Sequence, residues 1–174
     1  MQAKDEIVAI VDEDNRVVGS EPRSKMRALG LAHRATYILV FNTAGELYVQ
    51  ERTLTKDLFP GYYDAVTGGV VLAGETFEES AKRELEEELG IKGVTLRYLF
   101  DFPYEGKNFM VWGRAYSCVY DGEIVLQEEE VKSGFFCSIP DIFEMAQNKP
   151  FTPDGLYVLE RFQEIEDQAF ETAD

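Results

Sequence analysis

Apolar and polar positions fall into short runs along this chain. Ala35 to Asn42 reads ATYILVFN, nearly continuous, β-branched and aromatic, and predicts a strand. Thr43-Ala-Gly-Glu46 reads as a turn and Leu47 to Arg52 as a second strand. Upstream, Glu6 to Val11 and Arg16 to Gly19 flank Asp12-Glu-Asp-Asn15, which predicts a small hairpin. Ser24 to Leu31 reads as a short helix or a loop. Pro60-Gly61 breaks the pattern, and Tyr62 to Gly74 is glycine-rich with short apolar pieces. Thr95 to Phe102, Asn108 to Tyr120 and Gly134 to Phe136 predict further strands. Pro140 to Gln147 and Asp154 to Phe162 predict helices, with Pro140 and Pro153 at their starts. The tail from Glu164 is acidic and is expected to fray.

The clearest helix is Thr76 to Leu89, closed by Gly90. At about 100° per residue, Phe77, Ala81, Leu85 and Leu89 form one stripe that packs on a core. Glu84, Glu87 and Glu88 are three and four positions apart and share one side. Glu88 lies between Glu84 and the apolar stripe, so its carboxylate is expected to be only partly exposed. Each like-charge neighbour costs an isolated helix roughly 0.2–0.5 kcal/mol. Glu78 with Lys82 and Glu79 with Arg83 are expected as favourable pairs elsewhere on the helix. A hard divalent cation would relieve the unpaired side, and Mg²⁺ suits carboxylates, waters and phosphates. A solvated acidic face is the other reading.

These elements mix strands and helices without repeat, low-complexity tract or linker, so a layered α/β or α+β unit is expected. At 174 residues the chain is about one domain. Residues 1–30 read as an N-terminal hairpin extension, 31–138 as the core and 139–174 as C-terminal helices.

Charge narrows the partners. Asp and Glu number 33 against 17 Lys and Arg, a formal charge of −16. Such a surface repels phosphate backbones and anionic membranes, so neither long nucleic acid nor membrane is expected. A metal-bridged phosphate compound stays open. No run approaches a membrane span and the N-terminus lacks a signal-peptide pattern, so the expected location is the cytoplasm. Cys118 and Cys137 make no disulfide framework and read as reduced core residues.

With His33 the only histidine and no GxSxG, a Ser-His or Cys-His relay has little to build on. A Cys/His zinc site, GxGxxG and a Walker loop are missing too. Chemistry here would have to fall to carboxylates.

From Gly69 the chain runs five residues to Glu75, seven more, then Arg83-Glu84-Leu85-Glu86-Glu87-Glu88-Leu89-Gly90-Ile91. This resembles the Nudix box, G-x5-E-x7-R-E-U-x-E-E-x-G-U with U aliphatic, at every fixed position. Chance agreement of those identities is on the order of 10⁻⁹. The resemblance implies a Nudix fold, an α/β/α sandwich with a mixed sheet, here with an N-terminal hairpin. It implies hydrolysis of nucleoside diphosphates linked to another moiety, with Mg²⁺ or Mn²⁺. By motif position, Glu84, Glu87 and Glu88 would be metal ligands, with the Gly68 carbonyl a further one. Arg83 and Glu75 would form the family's structural ion pair. Glu87 and Glu88 would serve the chemistry, and many members add an acid from a later loop. Glu128-Glu129-Glu130 offers that acid, with Glu130 favoured; a solvated turn is the other reading.

Further segments are similar to a Nudix branch that includes type I isopentenyl diphosphate isomerase. They are the N-terminal hairpin, Leu31 to Ala35, Gly45 to Arg52, and Lys56, Phe59-Pro60-Gly61 and Asp64. The isomerase's catalytic cysteine and metal-binding histidine are replaced by Thr67 and Gly69, and its later paired glutamates are missing around Lys107 to Phe109. The resemblance therefore favours a hydrolase of that branch. A nucleotide-sensing, non-catalytic domain and the isomerase are the alternatives. Arg34, Arg52, Lys56 and Tyr104 are candidates to contact a small diphosphate substrate; surface pairing and core packing compete for them. His33 reads as structural or substrate-adjacent, and Trp112 as core. A homodimer through the hairpin is a further expectation.

Overall fold

The computed structural model describes residues 2–172. After a 3-10 turn at Ala3–Asp5 come β1 (Ile7–Val11), β2 (Val17–Pro22) and α1 (Arg23–Leu29). Then follow β3 (His33–Phe41), β4 (Leu47–Arg52), β5 (Tyr63–Asp64) and α2 (Phe77–Leu89). β6 (Arg97–Gly106), β7 (Phe109–Val119), β8 (Val131–Cys137), α3 (Ile139–Ala146) and α4 (Pro153–Thr172) complete the chain. No described helix is long and apolar enough to cross a membrane.

β3 is the spine, because its apolar run supplies both faces of the sheet. Tyr37 and Leu39 point to one side, where Ile142 of α3 and Val158 and Leu159 of α4 pack. Ile38 and Val40 point to the other, against Phe77, Ala81, Leu85 and Leu89 of α2. A strand buried on both faces reads as continuous rather than alternating. The result is the expected α/β/α sandwich.

The sheet is mixed. β3 runs parallel to β7, from His33↔Val111 to Phe41↔Val119. β6 pairs antiparallel with β7, β8 with β4, and β5 with β4. The hairpin β1–β2 pairs antiparallel as expected and joins β3 at Ile10↔His33. β3 and β4 pair only at Phe41↔Leu47, next to their turn. Beyond that point they part, and the glycine-rich segment occupies the gap through bridges Ile38↔Thr67 and Ala35↔Val70.

Three expectations change. The tail does not fray at Glu164: α4 continues to Thr172, with Ile165 packed on the core and Glu166 bonded to Arg97 at 3.4 Å. Trp112 is half-buried rather than core. The Glu79–Arg83 pair does not form, because Glu79 accepts from the Thr76 N–H while its own N–H donates to Thr76 Oγ1. That reciprocal capping box is written as T-x-x-E in the sequence. Glu78–Lys82 does form, at 3.0 Å.

Candidate active site

The segment between Thr67 and Val71 is held extended against β3. Ile38 N–H donates to Thr67 O at 2.7 Å, Thr36 N–H to Gly69 O at 2.9 Å, and Val71 N–H to Arg34 O at 2.9 Å. Gly69 lets the Glu84 carboxylate lie against the backbone: a Cβ there would stand 2.6 Å from Glu84 Oε1 and push it aside. Helix α2 thus lies with its acidic side directly on a glycine backbone. Gly90, at φ 67°, ends the helix in the left-handed region.

Burying α2's apolar stripe carries the neighbouring acids inside with it. Glu84 and Glu88 are 9% and 4% exposed, so Glu88 is deeper than its angular position predicts. Burial pushes both carboxyls up from the usual range, and Glu88's charge adds to the effect on Glu84. Lys56, Arg52 and the Gly68 N–H oppose the rise at Glu88. One Glu88 oxygen, Oε2, is shielded from water and has no partner among the described residues. Such an atom costs about 1–3 kcal/mol, more when charged, unless something binds it.

The acids are not left uncompensated, contrary to the helix-wheel reading. Arg83 donates from Nε and Nη2 to Glu75 at 2.7 and 3.0 Å, and from Nη2 to Val70 O at 3.3 Å. Its Nη1 donates to Glu84 and Glu87 at 2.9 and 3.1 Å. This fork holds the glycine loop on the helix and pulls the Glu75 carboxyl below its ordinary range against the effect of burial. Lys56 Nζ lies 3.7 Å from Glu88 Oε1 and also contacts Glu130 Oε2.

Glu130 reaches this position because its loop is tied at both ends. Gln127 N–H donates to Glu88 O and Val125 N–H to Leu89 O, each at 3.0 Å, so the loop starts on the end of α2. Thr53 Oγ1 donates to Glu129 O at 3.1 Å, fixing it beside β4.

These groups line a cavity of about 920 Å³. It contains Gly68, Glu84, Glu87, Glu88, Glu129 and Glu130, together with Arg52 and Lys56. Glu128 is not on its wall. Arg52 spends Nε and Nη2 on the carbonyls of Phe59 and Leu58, with Nη1 3.6 Å from Asp64. Arg34 and Tyr104 are not brought to the cavity. Arg34 points away, donating to Asn15 Oδ1 and O at 2.8 and 2.6 Å. Tyr104 stacks on Phe109 with ring centroids 5.8 Å apart. His33 lines the wall; burial pushes its pKa down to about 4, and Nδ1 faces Leu31 O at 2.9 Å.

The cavity also holds residues not proposed for the site from sequence: Arg23 and Arg27 of α1, with Tyr37, Asp64 and Asp154. Tyr37 donates to Asp154 Oδ2 at 2.9 Å. Burial pushes Asp64 up to about 7. Arg23 and Arg27, four apart in a short helix, carried a signal that periodicity could have found.

Whether the residues suit a divalent cation follows from the donor set. Among the described residues no three acidic, histidine or cysteine groups stand close enough to enclose a cation unaided. Glu84 and Glu88, with the unpartnered Oε2, supply hard oxygens of the type Mg²⁺ takes, and Mg²⁺ commonly keeps waters and phosphate oxygens besides. The site fits a cation held partly by protein and partly by substrate.

Comparison with known proteins places the chain in a family and a fold. The NUDIX domain family model matches residues 31–162. The chain is 48% identical over 157 residues to the Nudix hydrolase YfcD of Escherichia coli K12, covering 90% of this chain and 86% of that one. It is 45% identical over 154 residues to the Nudix hydrolase PA4841 of Pseudomonas aeruginosa, covering 88% and 91%. The crystal structure of DR0079 from Deinococcus radiodurans superposes with a TM-score of 0.79 at 25% identity, covering 90% of this chain and 98% of that one.

Proposed function

Because the chain belongs to the Nudix hydrolase family, we propose that it cleaves a pyrophosphate bond in a small diphosphate compound with the help of Mg²⁺. Mn²⁺ would substitute for it. The observation that carries this reading is the pair of buried carboxylates, Glu84 and Glu88, beside a glycine backbone on the wall of one large cavity. Arg83 and Lys56 offset part of the charge, but the buried Glu88 Oε2 is still without a partner among the described residues, and a cation-binding role accounts for the cost of keeping it so.

A divalent cation, when bound, supplies charge neutralisation on phosphate oxygens and lowers the pKa of a water. Glu84 and Glu88 would hold it, with Glu87 at the exposed rim and the Gly68 backbone beside them. Arg83 keeps Glu84 and Glu87 aimed by its fork while Glu75 anchors the other side of the guanidinium. Lys56 Nζ offers donors to a phosphate entering between Glu88 and Glu130. Glu130, partly exposed at the cavity edge, is suited to accept a proton at a carboxylate oxygen from the attacking water. Phe109, Val111 and Val66 supply an apolar part of the cavity wall.

The test is release of phosphate and pyrophosphate from a panel of nucleoside diphosphate derivatives and triphosphates, with and without Mg²⁺, beside Glu88→Gln. Mg²⁺-dependent release that the variant loses while its circular dichroism is unchanged supports the hydrolase. Nucleotide binding with no release from any compound turns the reading to a sensor domain.

A further inference from the structure

The cavity has a second charged wall, built by the N-terminal segment outside the family match. Lys4, Glu6, Arg23 and Arg27 line it. Arg23 and Arg27 lie one turn apart on α1, and their Nε atoms donate to the same oxygen, Asp57 Oδ2, at 2.9 and 3.2 Å. Arg23 Nη1 also lies 3.6 Å from Glu6. Two guanidinium groups therefore share two carboxylates, with Lys4 on the same wall, in a chain whose total charge is −16. His33 beside them stays uncharged near neutral pH.

Arg27 is the underused member. Among the described residues it donates only through Nε, and its Nη1 is shielded from water with no acceptor. A charged donor without a partner makes a bond roughly twice as strong as a neutral one when an anionic acceptor arrives. The wall also neighbours the acidic end, since Arg23 lies within the field of Glu84.

We infer that Arg27, supported by Arg23, is a second anion site that holds a phosphate of the substrate away from the bond being cleaved. This rests on the hydrolase reading above and narrows it: the substrate carries a further phosphate beyond the diphosphate. Two paired guanidinium groups match a phosphate's geometry in a way that one ammonium does not. Asp57 keeps the two forks aimed and competes with the incoming anion. The phosphate is either a third one in the same chain or a phosphomonoester on the other moiety.

The probe is inorganic triphosphate, titrated calorimetrically into the full chain in EDTA, so that no metal takes part. Arg27→Gln is expected to weaken binding about tenfold or more, and Asp57→Asn to tighten it several-fold by removing the competitor. A merely structural role for these residues would not tighten binding. Unchanged affinity in a folded Arg27→Gln, or unchanged or weaker binding in Asp57→Asn, overturns the inference. Should Arg27→Gln fail to fold, Asp57→Asn decides alone. With Mg²⁺, kcat/KM is then compared for GTP against GDP and for coenzyme A against dephospho-coenzyme A. The pair whose preference Arg27→Gln abolishes through KM identifies the source of the phosphate. Hydrolysis indifferent to Arg27 overturns this inference and leaves the hydrolase standing. Arg27-dependent triphosphate binding without hydrolysis of any compound does the reverse.

Discussion

The ammonium of Lys56 lies 3.7 Å from Glu88 Oε1 and bridges that acid to Glu130. A side chain thus stands among the carboxylates where a divalent cation would also be drawn. The two positive charges should compete. Lys56→Met is expected to lower kcat/KM about tenfold, since a phosphate loses a donor. It should also increase the Mg²⁺-induced rise in Tm by roughly 2–4 °C, equivalent to about 1 kcal/mol. Scanning fluorimetry with and without Mg²⁺ checks this; an equal rise in both proteins would rule out competition.

Arg83→Lys keeps the charge and loses the fork. Arg83 bonds Glu75 from two nitrogens and serves Glu84, Glu87 and Val70 besides. An ammonium cannot span these acceptors. Stability is expected to fall by about 2 kcal/mol, or roughly 4–8 °C in Tm for a chain of this size. Thermal unfolding by circular dichroism measures it.

Gly69→Ala introduces a methyl group 2.6 Å from Glu84 Oε1. The flexible carboxylate can turn aside, so the fold survives while the site is spoiled. Activity should drop at least about tenfold, as displacements near 1 Å do in other enzymes. Near-normal Tm with lost turnover is the expected signature.

The metal-free protein should lose stability as pH rises through neutrality. Asp64, raised to about 7 by burial, binds its proton in the folded chain but not in the unfolded one between its ordinary 3.8 and that value. A folded state that holds the extra proton is favoured at low pH, so stability falls as pH climbs across that window. Glu84 and Glu88 act in the same direction above 4.5. His33 opposes them only between about 4 and 6.5, since its folded form releases its proton early. Asp57 and Glu75, held below their ordinary range, act at still lower pH. Tm in EDTA is therefore expected to decline from pH 6.5 to 8. Urea titrations across that range that show rising stability would contradict the assignment.

The sequence disclosed what is local. The box spacing and the apolar stripe of α2 lie within 23 contiguous residues, so one helix and one loop fix Glu84, Glu88 and Arg83 together. The apolar run of β3 was legible because both its faces are buried. What could not be read is tertiary. Tyr37 meets Asp154 across 117 positions, and no motif marks either. Arg34 looked equivalent to Arg52, but it lies between His33 and Ala35, which line the cavity, so its side chain faces the other side of β3, with Phe77 and Asn15. The continuation of α4 past Glu164 depends on Ile165 finding a core that the tail's composition does not reveal.

The parallel pairing of β3 with β7 sets an order of events during synthesis. Val111 stands opposite His33, 78 positions further along the chain. At roughly 5–20 residues per second, the spine strand emerges about 4–16 s before its parallel partner is made. The hairpin and α1 precede β3, while β4, the glycine segment and α2 leave the ribosome within that interval. An apolar strand waiting so long is open to wrong pairings, and closing so wide a loop is slow. The acidic helix, with its strong local cap, is thus assembled ahead of the sheet that will bury it, and its many charges keep the unfinished chain dispersed until β7 arrives.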